Sequence, residues 1–433
     1  MRIVYVTQEL PTAPLTGAHT RTLSMLAALT RRHEVAIVGR LPAGRETVAV
    51  QDLCVDVWAV RCAAEDHRSP LRRSLSSARK AFTPVPLVAQ SRDDGLARAV
   101  DDAVAAHSPS VVQLFNMYTV HYRRAERATV LDLPDVVSGL CESAAGARPL
   151  KYVAAGIQRR RAEQAERRLL RDVYPVTING DDADRLARLG IDAFTVPLAI
   201  GLPEPVDSST GEDSDHMRPS RPMPDEPLRL LFVGSYLHRP NVEAGRFLER
   251  LLMPALSARG CHFQLTIAGR GVRPLSAERV SNAARHAGGR IRHLADVPDL
   301  APLYREADIV VIPLAHGGGT KNKTLEAMAW GRPVVGSPQA FTGLGSRAAG
   351  ACEVVPLAAN AFADAVVALS RDPGRRAAMG RAGREYVARE HSQEIVNRRV
   401  DVLYDAIAAG GSIADARRAL EQERDDDQRT DDV

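Results

Sequence analysis

Short runs of β-branched and aliphatic residues alternate along this chain with longer stretches in which apolar positions recur every three or four residues. In the first half the short runs predict strands at Ile3–Thr7, Glu34–Val38, Ser110–Phe115, Thr129–Asp132, Val176–Asn179 and Phe194–Val196. In the second half they predict strands at Arg229–Val233, Gln264–Ala268, Ile291–Leu294, Ile309–Pro313, Pro333–Gly336 and Glu353–Val355. The longer stretches predict helices such as His19–Arg31, Asn241–Leu252, Ala301–Arg305 and Ala361–Leu369. Strands alternating with helices imply parallel sheets covered on both faces. The run IVVIP, apolar at successive positions, suits a strand buried on both sides. The fold class expected is α/β.

The alternation breaks once, between 203 and 227, where PEPVDSSTGEDSDHMRPSRPMPDEP holds nothing that could bury a core and reads as a linker. Five segments are expected: a domain over 1–202, the linker 203–227, a second domain over 228–391, a helix within 392–412, and a polar tail over 413–433 that is disordered at its end. With 433 residues the chain is long enough for two or three domains. Its net charge of +4 is too small to favour a nucleic-acid or membrane partner. Five scattered cysteines without metal-ligand spacing point to a reducing cytoplasm. MRIVYVTQEL lacks the basic and apolar regions of a signal peptide, and no window holds 18 apolar residues in a row. The expectation is a cytoplasmic protein.

The candidate chemistry lies in HGGGTKNKTLEAMAWGRPVV, residues 316–335. Gly317–Gly319 follow a buried strand at its carboxyl end, where open α/β sheets place ligands. Thr320 is expected to cap a helix starting at Lys321, and Gly331–Pro333 to stop it. Glycines let backbone N–H groups approach an anion, and the helix N-terminus adds about half a positive charge. Lys321 and Lys323 on the first turn oppose the helix dipole, a placement that an anion would repair. Lys323 and Glu326 share one helix face, and Leu325, Met328 and Ala329 form the apolar one. Glu326 is therefore expected on a solvent-facing wall, placed to accept hydrogen bonds from ribose hydroxyls.

GGGTKNKTLEAMAWGRPVV resembles the donor-site motif of retaining family-4 glycosyltransferases of the GT-B fold. The resemblance extends to LRLLFVGSYLHRPNVEAGRFL, which contains Gly234 and Arg239, to FQLTIAGRG, which ends near Arg270, and to IRHLADVPDLAPLYREADIVVIPL. It is weaker in RIVYVTQELPTAPLTGAHTRTLSMLAAL and in YPVTINGDDADRLARLGIDAFTVPLAI. It implies two Rossmann-like domains facing each other across a cleft, with the nucleotide sugar mainly on the second and the acceptor mainly on the first. The C-terminal helix Ser392–Ala409 would return to the first domain. The implied donor-binding residues are Gly17, Gly234, Arg239, Gly318, Gly319, Thr320, Lys321 and Glu326; the implied catalytic residues are Lys323, Arg270 and Asp135.

The sequence also departs from the family. The first of its two glutamates falls on Gly318, which bears on sugar choice. Its arginine and lysine after the strand fall on Ser235 and Pro240. Arg239, Arg270, Lys321 and Lys323 must then neutralise the diphosphate. Gly17 reads either as a turn or as a loop over the diphosphate, with His19 and Arg21 following where an anion is welcome. Asp135 either caps a helix or serves the reaction. His121 reads either as a structural or surface residue or as one facing the acceptor. Gln158–Arg171 reads as a solvated basic helix, the alternative being a peripheral membrane contact.

The implied reaction moves a sugar from a nucleoside diphosphate sugar to a hydroxyl of a saccharide, lipid-linked saccharide or small molecule, with retained anomeric configuration. Its setting is bacterial polysaccharide, glycoconjugate or natural-product assembly, consistent with the Arg- and Ala-rich composition. No cofactor or metal is expected, because lysines occupy the diphosphate position. A nucleotide-sugar epimerase of the same architecture and a non-catalytic nucleotide-sugar binder stay open.

Overall fold

The computed structural model describes residues 1–13, 15–62, 93–143, 149–203, 226–273 and 289–431. Two compact units emerge, one built from Met1–Ala199 with Gln393–Val433 and the other from Ile200–Ser392. The expected linker lies almost wholly outside the described residues.

The first unit runs β1 (Arg2–Glu9), α1 (Gly17–Leu29), β2 (Glu34–Pro42), α2 (Val50–Leu53), β3 (Asp56–Cys62), α3 (Asp94–His107), β4 (Val111–Phe115), β5 (Ala128–Leu133), α4 (Val137–Ser143), α5 (Pro149–Leu169), β6 (Tyr174–Thr177), α6 (Gly180–Ala187) and β7 (Phe194–Thr195). Its seven strands are all parallel in the order β3-β2-β1-β4-β5-β6-β7. Side chains alternate across β1, so Ile3 and Tyr5 enter one core while Val4 and Val6 enter the other. That two-sided burial explains the unbroken apolar runs. Strand β3 was not expected. It is an edge strand whose residues are only half-buried or exposed, although VWAV is an apolar run of the same kind as the predicted strands.

The second unit runs β8 (Leu228–Val233), α7 (Arg239–Phe247), α8 (Met253–Ser257), β9 (Phe263–Gly269), β10 (Gly289–Ala295), α9 (Ala301–Glu306), β11 (Ile309–Ile312), α10 (Asn322–Ala329), β12 (Val334–Gly336), β13 (Cys352–Val354), α11 (Ala359–Arg371) and α12 (Pro373–His391). Its six parallel strands take the order β10-β9-β8-β11-β12-β13. Strand order reverses between β8 and β11, and at such a switch point the outgoing loops diverge and leave a crevice.

The chain ends with α13 (Gln393–Ala408) and α14 (Ile413–Asp431). Val396, Val400, Leu403 and Tyr404 of α13 are buried in the core of the first unit, beside Ile413 and Ala416 of α14. The tail expected to be disordered at its end is thus helical through Asp431. Its first turn carries two buried apolar anchors that the polar composition after Glu421 concealed.

Candidate functional site

The switch point of the second unit gathers most of the residues singled out in the sequence. Gly234 leaves β8, Arg270 follows β9, and Gly317–Gly319 follow β11. Gly317 and Gly319 have φ of 137° and 60°, where side chains are strained. The helix begins one residue later than expected, with Lys321 rather than Thr320 at the N-cap and no side-chain cap bond. Thr320 is buried instead. The Lys321 ammonium folds back onto the glycine loop, donating to the carbonyls of Gly318 and Gly319.

Lys323 sits on the first turn of α10. Its Nζ donates to Asn241 Oδ1 of α7 at 2.5 Å and lies 4.6 Å from the centre of the Phe232 ring. Both partners are neutral. Burial pushes the Lys323 pKa down to about 7, with Glu326 opposing the shift and Lys321 adding to it. Gly234 is required here: a Cβ would lie 2.8 Å from Asn241 Cγ and 2.9 Å from Lys323 Nζ.

Glu326, one turn further on, is not the solvent-facing carboxylate expected. It is half-buried, and its Oε2 accepts a hydrogen bond of 2.9 Å from the Tyr304 hydroxyl of α9. Burial raises the Glu326 pKa against the lowering effects of Tyr304 and Lys323. Burial, reinforced by Glu326, also keeps Tyr304 protonated and donating. Neither Tyr304 nor Asn241 was expected as a site residue. Tyr304 sits in a predicted helix with nothing local to mark it, and Asn241 within a motif quoted only for its resemblance.

The remaining basic candidates are less engaged. Arg239, with its side chain 74% exposed, pairs with Glu243 one turn along α7 at 2.6 Å. Glu243 also meets His316 Nε2 at 3.2 Å. Arg270 is exposed, and its carbonyl accepts from the Tyr236 N–H, tying the loops after β8 and β9 together.

The candidates of the first unit are dispersed along the carboxyl edge of its own sheet. Gly17 is the exposed first residue of α1, capped by Thr16. His19 and Arg21 are both buried. Arg21 does not wait for an anion: it makes a two-pronged ion pair with Asp132 of β5 at 2.9 and 3.0 Å while donating to the Pro197 carbonyl at 2.6 Å. Asp135 is half-buried in the loop after β5, where its charge adds to the burial that raises the Tyr118 pKa. The N–H of Ser138 at the start of α4 is received by Glu166 of α5, at 2.9 Å and fully buried. The helix expected to be simply solvated therefore turns an acid inward. His121 is exposed at the end of a short 3₁₀ segment.

Among the described residues, no group of three or more His, Cys, Asp or Glu side chains is placed to hold a metal. No described helix is long and apolar enough to cross a membrane.

Residues 227–372 match the family model described as Glycosyl transferases group 1. The second unit is a group 1 glycosyltransferase domain, and the chain is a glycosyltransferase by that domain. None of the curated protein sequences matches the chain. Among solved structures, this glycosyltransferase is similar to sucrose-phosphate synthase from Thermosynechococcus elongatus, with 16% identity, a TM-score of 0.64 and coverage of 95% of this chain and 100% of that one. It is also similar to Anabaena HepE, solved with UDP and glucose, with 12% identity, a TM-score of 0.54 and coverage of 94% and 100%. A putative UDP-N-acetylglucosamine 2-epimerase from Listeria monocytogenes shares the fold at 12% identity and a TM-score of 0.50, covering 95% and 98%. Identities this low speak for the fold alone. The two parallel-sheet α/β domains are the GT-B architecture that the sequence led one to expect.

Proposed function

We propose that this glycosyltransferase moves a sugar from a nucleoside diphosphate sugar to an acceptor hydroxyl with retention of anomeric configuration. One observation carries the reading. At the switch point of the second unit a half-buried lysine, its ammonium against a ring and a neutral amide, stands beside a glycine loop at the start of a helix. A partly desolvated cation whose hydrogen-bond acceptor is a neutral amide keeps its charge for an incoming anion. In the transition state of glycosyl transfer, negative charge grows on the departing diphosphate, so Lys323 stabilises that state more than the ground state. Glu326, oriented by Tyr304, is read as the acceptor of ribose hydroxyls. With lysine in the diphosphate position, the reaction is read as independent of a divalent ion.

Acceptor binding is assigned to the first unit, with Asp135 its candidate contact. A cytoplasmic enzyme of bacterial saccharide or natural-product assembly remains the setting of the proposal. HepE, solved with UDP and glucose, makes UDP-sugars the first donors to try.

The test is a thermal-shift panel of nucleoside diphosphates and nucleotide sugars, followed by turnover of the stabilising donor in EDTA. A true donor at a hundredfold excess over its dissociation constant stabilises by about 2.7 kcal/mol. Transfer that persists in EDTA and requires an acceptor supports the reading. Stabilisation by no nucleotide would overturn it. Sugar isomerisation without an acceptor would make the chain an epimerase.

A further inference from the structure

We propose that Asn241 is the positioning residue for Lys323, its side-chain oxygen holding the ammonium over Gly234 where the diphosphate is received. This rests on the nucleotide-sugar reading of the site. The Asn241 amide is engaged at both ends: Nδ2 donates to the Ser235 carbonyl at 2.8 Å, and Oδ1 accepts from Lys323 Nζ at 2.5 Å. An ammonium can only donate, so the oxygen must face the lysine, and the bond to Ser235 fixes that orientation. Ser235 belongs to the loop leaving β8, and Asn241 to the first turn of α7, anchored by its own N–H to the His238 carbonyl at 3.1 Å. One continuous stretch, the loop leaving β8 and the first turn of α7, thus holds a lysine that lies 82 residues away on α10.

The packing leaves little slack. A methyl group at position 234 would strike both Asn241 and Lys323, and the Phe232 ring lies 4.6 Å from the ammonium. The groups that β8 and α7 place against Lys323, namely Phe232, Gly234 and Asn241, carry no charge. The charged groups acting on it are Glu326 and Lys321 of its own helix and its cap. A neutral acceptor orients the ammonium without cancelling its charge, which leaves that charge for a diphosphate. An aspartate of the same shape would orient it equally well but compete with the ligand. The choice of asparagine over aspartate is what distinguishes a positioning role from a merely structural one.

The test reads the protonation of Lys323 directly in the full chain. Trace labelling with acetic anhydride from pH 5 to 10, followed by mass spectrometry of the peptide that carries Lys323, gives its titration midpoint. Isothermal titration with UDP is run on the same proteins. A hydrogen bond to a charged group contributes enough that Asn241→Ala should lower the proton affinity of Lys323 about tenfold, and Asn241→Asp should raise it at least about tenfold. Both variants should bind UDP about tenfold more weakly, with thermal unfolding near that of the parent, since Asn241 is only half-buried. The near-isosteric aspartate keeps the test valid should the alanine variant fold poorly. A Lys323 midpoint that is unchanged in either folded variant overturns the inference, whatever UDP does. A parent protein that binds no UDP or other nucleoside diphosphate overturns the proposed function, while the labelling still judges the Asn241 contact.

Discussion

The two units bury charge in opposite ways at the carboxyl edges of their sheets. In the first, Arg21 of α1 and Asp132 of β5 are at most 1% exposed and meet through two hydrogen bonds, with a third to the Pro197 carbonyl. The pair is closed: each charge answers the other, and nothing is left for a ligand. In the second, Lys323 and Glu326 each face a neutral partner, Asn241 and Tyr304. Burial pushes their pKa values towards neutrality, the lysine down and the glutamate up. One arrangement spends its electrostatics on folding, and the other holds them in reserve for an incoming anion and its hydroxyls.

The largest effect that would break this comparison lies in the closed pair. Asp132→Ala strands a buried guanidinium and should destabilise the protein by about 3–5 kcal/mol in urea unfolding. A loss near zero would show the pair to be dispensable.

Next comes Lys323→Ala, expected to lower kcat by roughly 10²–10³, equivalent to about 2.7–4 kcal/mol, with a smaller effect on donor KM. Removing a desolvated cation should leave the stability of the unliganded protein unchanged or slightly higher, the reverse of the Asp132 result. Parental turnover in a folded Lys323→Ala protein would transfer the role to Arg270.

Glu326→Gln should weaken nucleoside diphosphate binding about tenfold, as the loss of a charged hydrogen-bond acceptor implies. Calorimetry that shows undiminished affinity would remove Glu326 from the ribose.

The smallest effect is in the pH dependence. The Lys323 pKa is about 7 in the folded chain against an ordinary 10.5, so the unfolded chain binds the extra proton between these values. Stability of the unliganded protein should rise with pH across that window and level off above it. Glu326, whose pKa is raised, acts in the opposite sense on the acid side, losing stability as pH rises above 4.5. Diphosphate binding favours the ammonium, so near pH 8 it should take up a proton. Comparing calorimetric enthalpies in buffers of different ionisation heat measures that uptake, and Lys323→Met should abolish it.

Most strands and the glycine–lysine loop were legible because their signals are local. A buried parallel strand needs several apolar residues in a row, as in IVVI of β11, and a helix stop needs a residue such as Gly331 at φ 63°. The edge strand β3 was passed over although its VWAV run meets that demand, and its place at the sheet edge, half-buried or exposed, came only from the fold. The helix of the tail escaped because two buried residues, Ile413 and Ala416, do not outweigh a charged run in composition.

The pattern of the chain by itself determined the class of fold and where most strands and the glycine–lysine loop fall, since periodicity and loop chemistry act over a few residues. Only the tertiary structure decided how each charge is used. Arg21 and Asp132 are 111 residues apart, Lys323 and Asn241 are 82 apart, and Glu326 and Tyr304 are 22 apart. Whether a charge meets an opposite charge or a neutral group depends on which strands become neighbours. Desolvation then turns that choice into a closed ion pair in one unit and a poised lysine in the other.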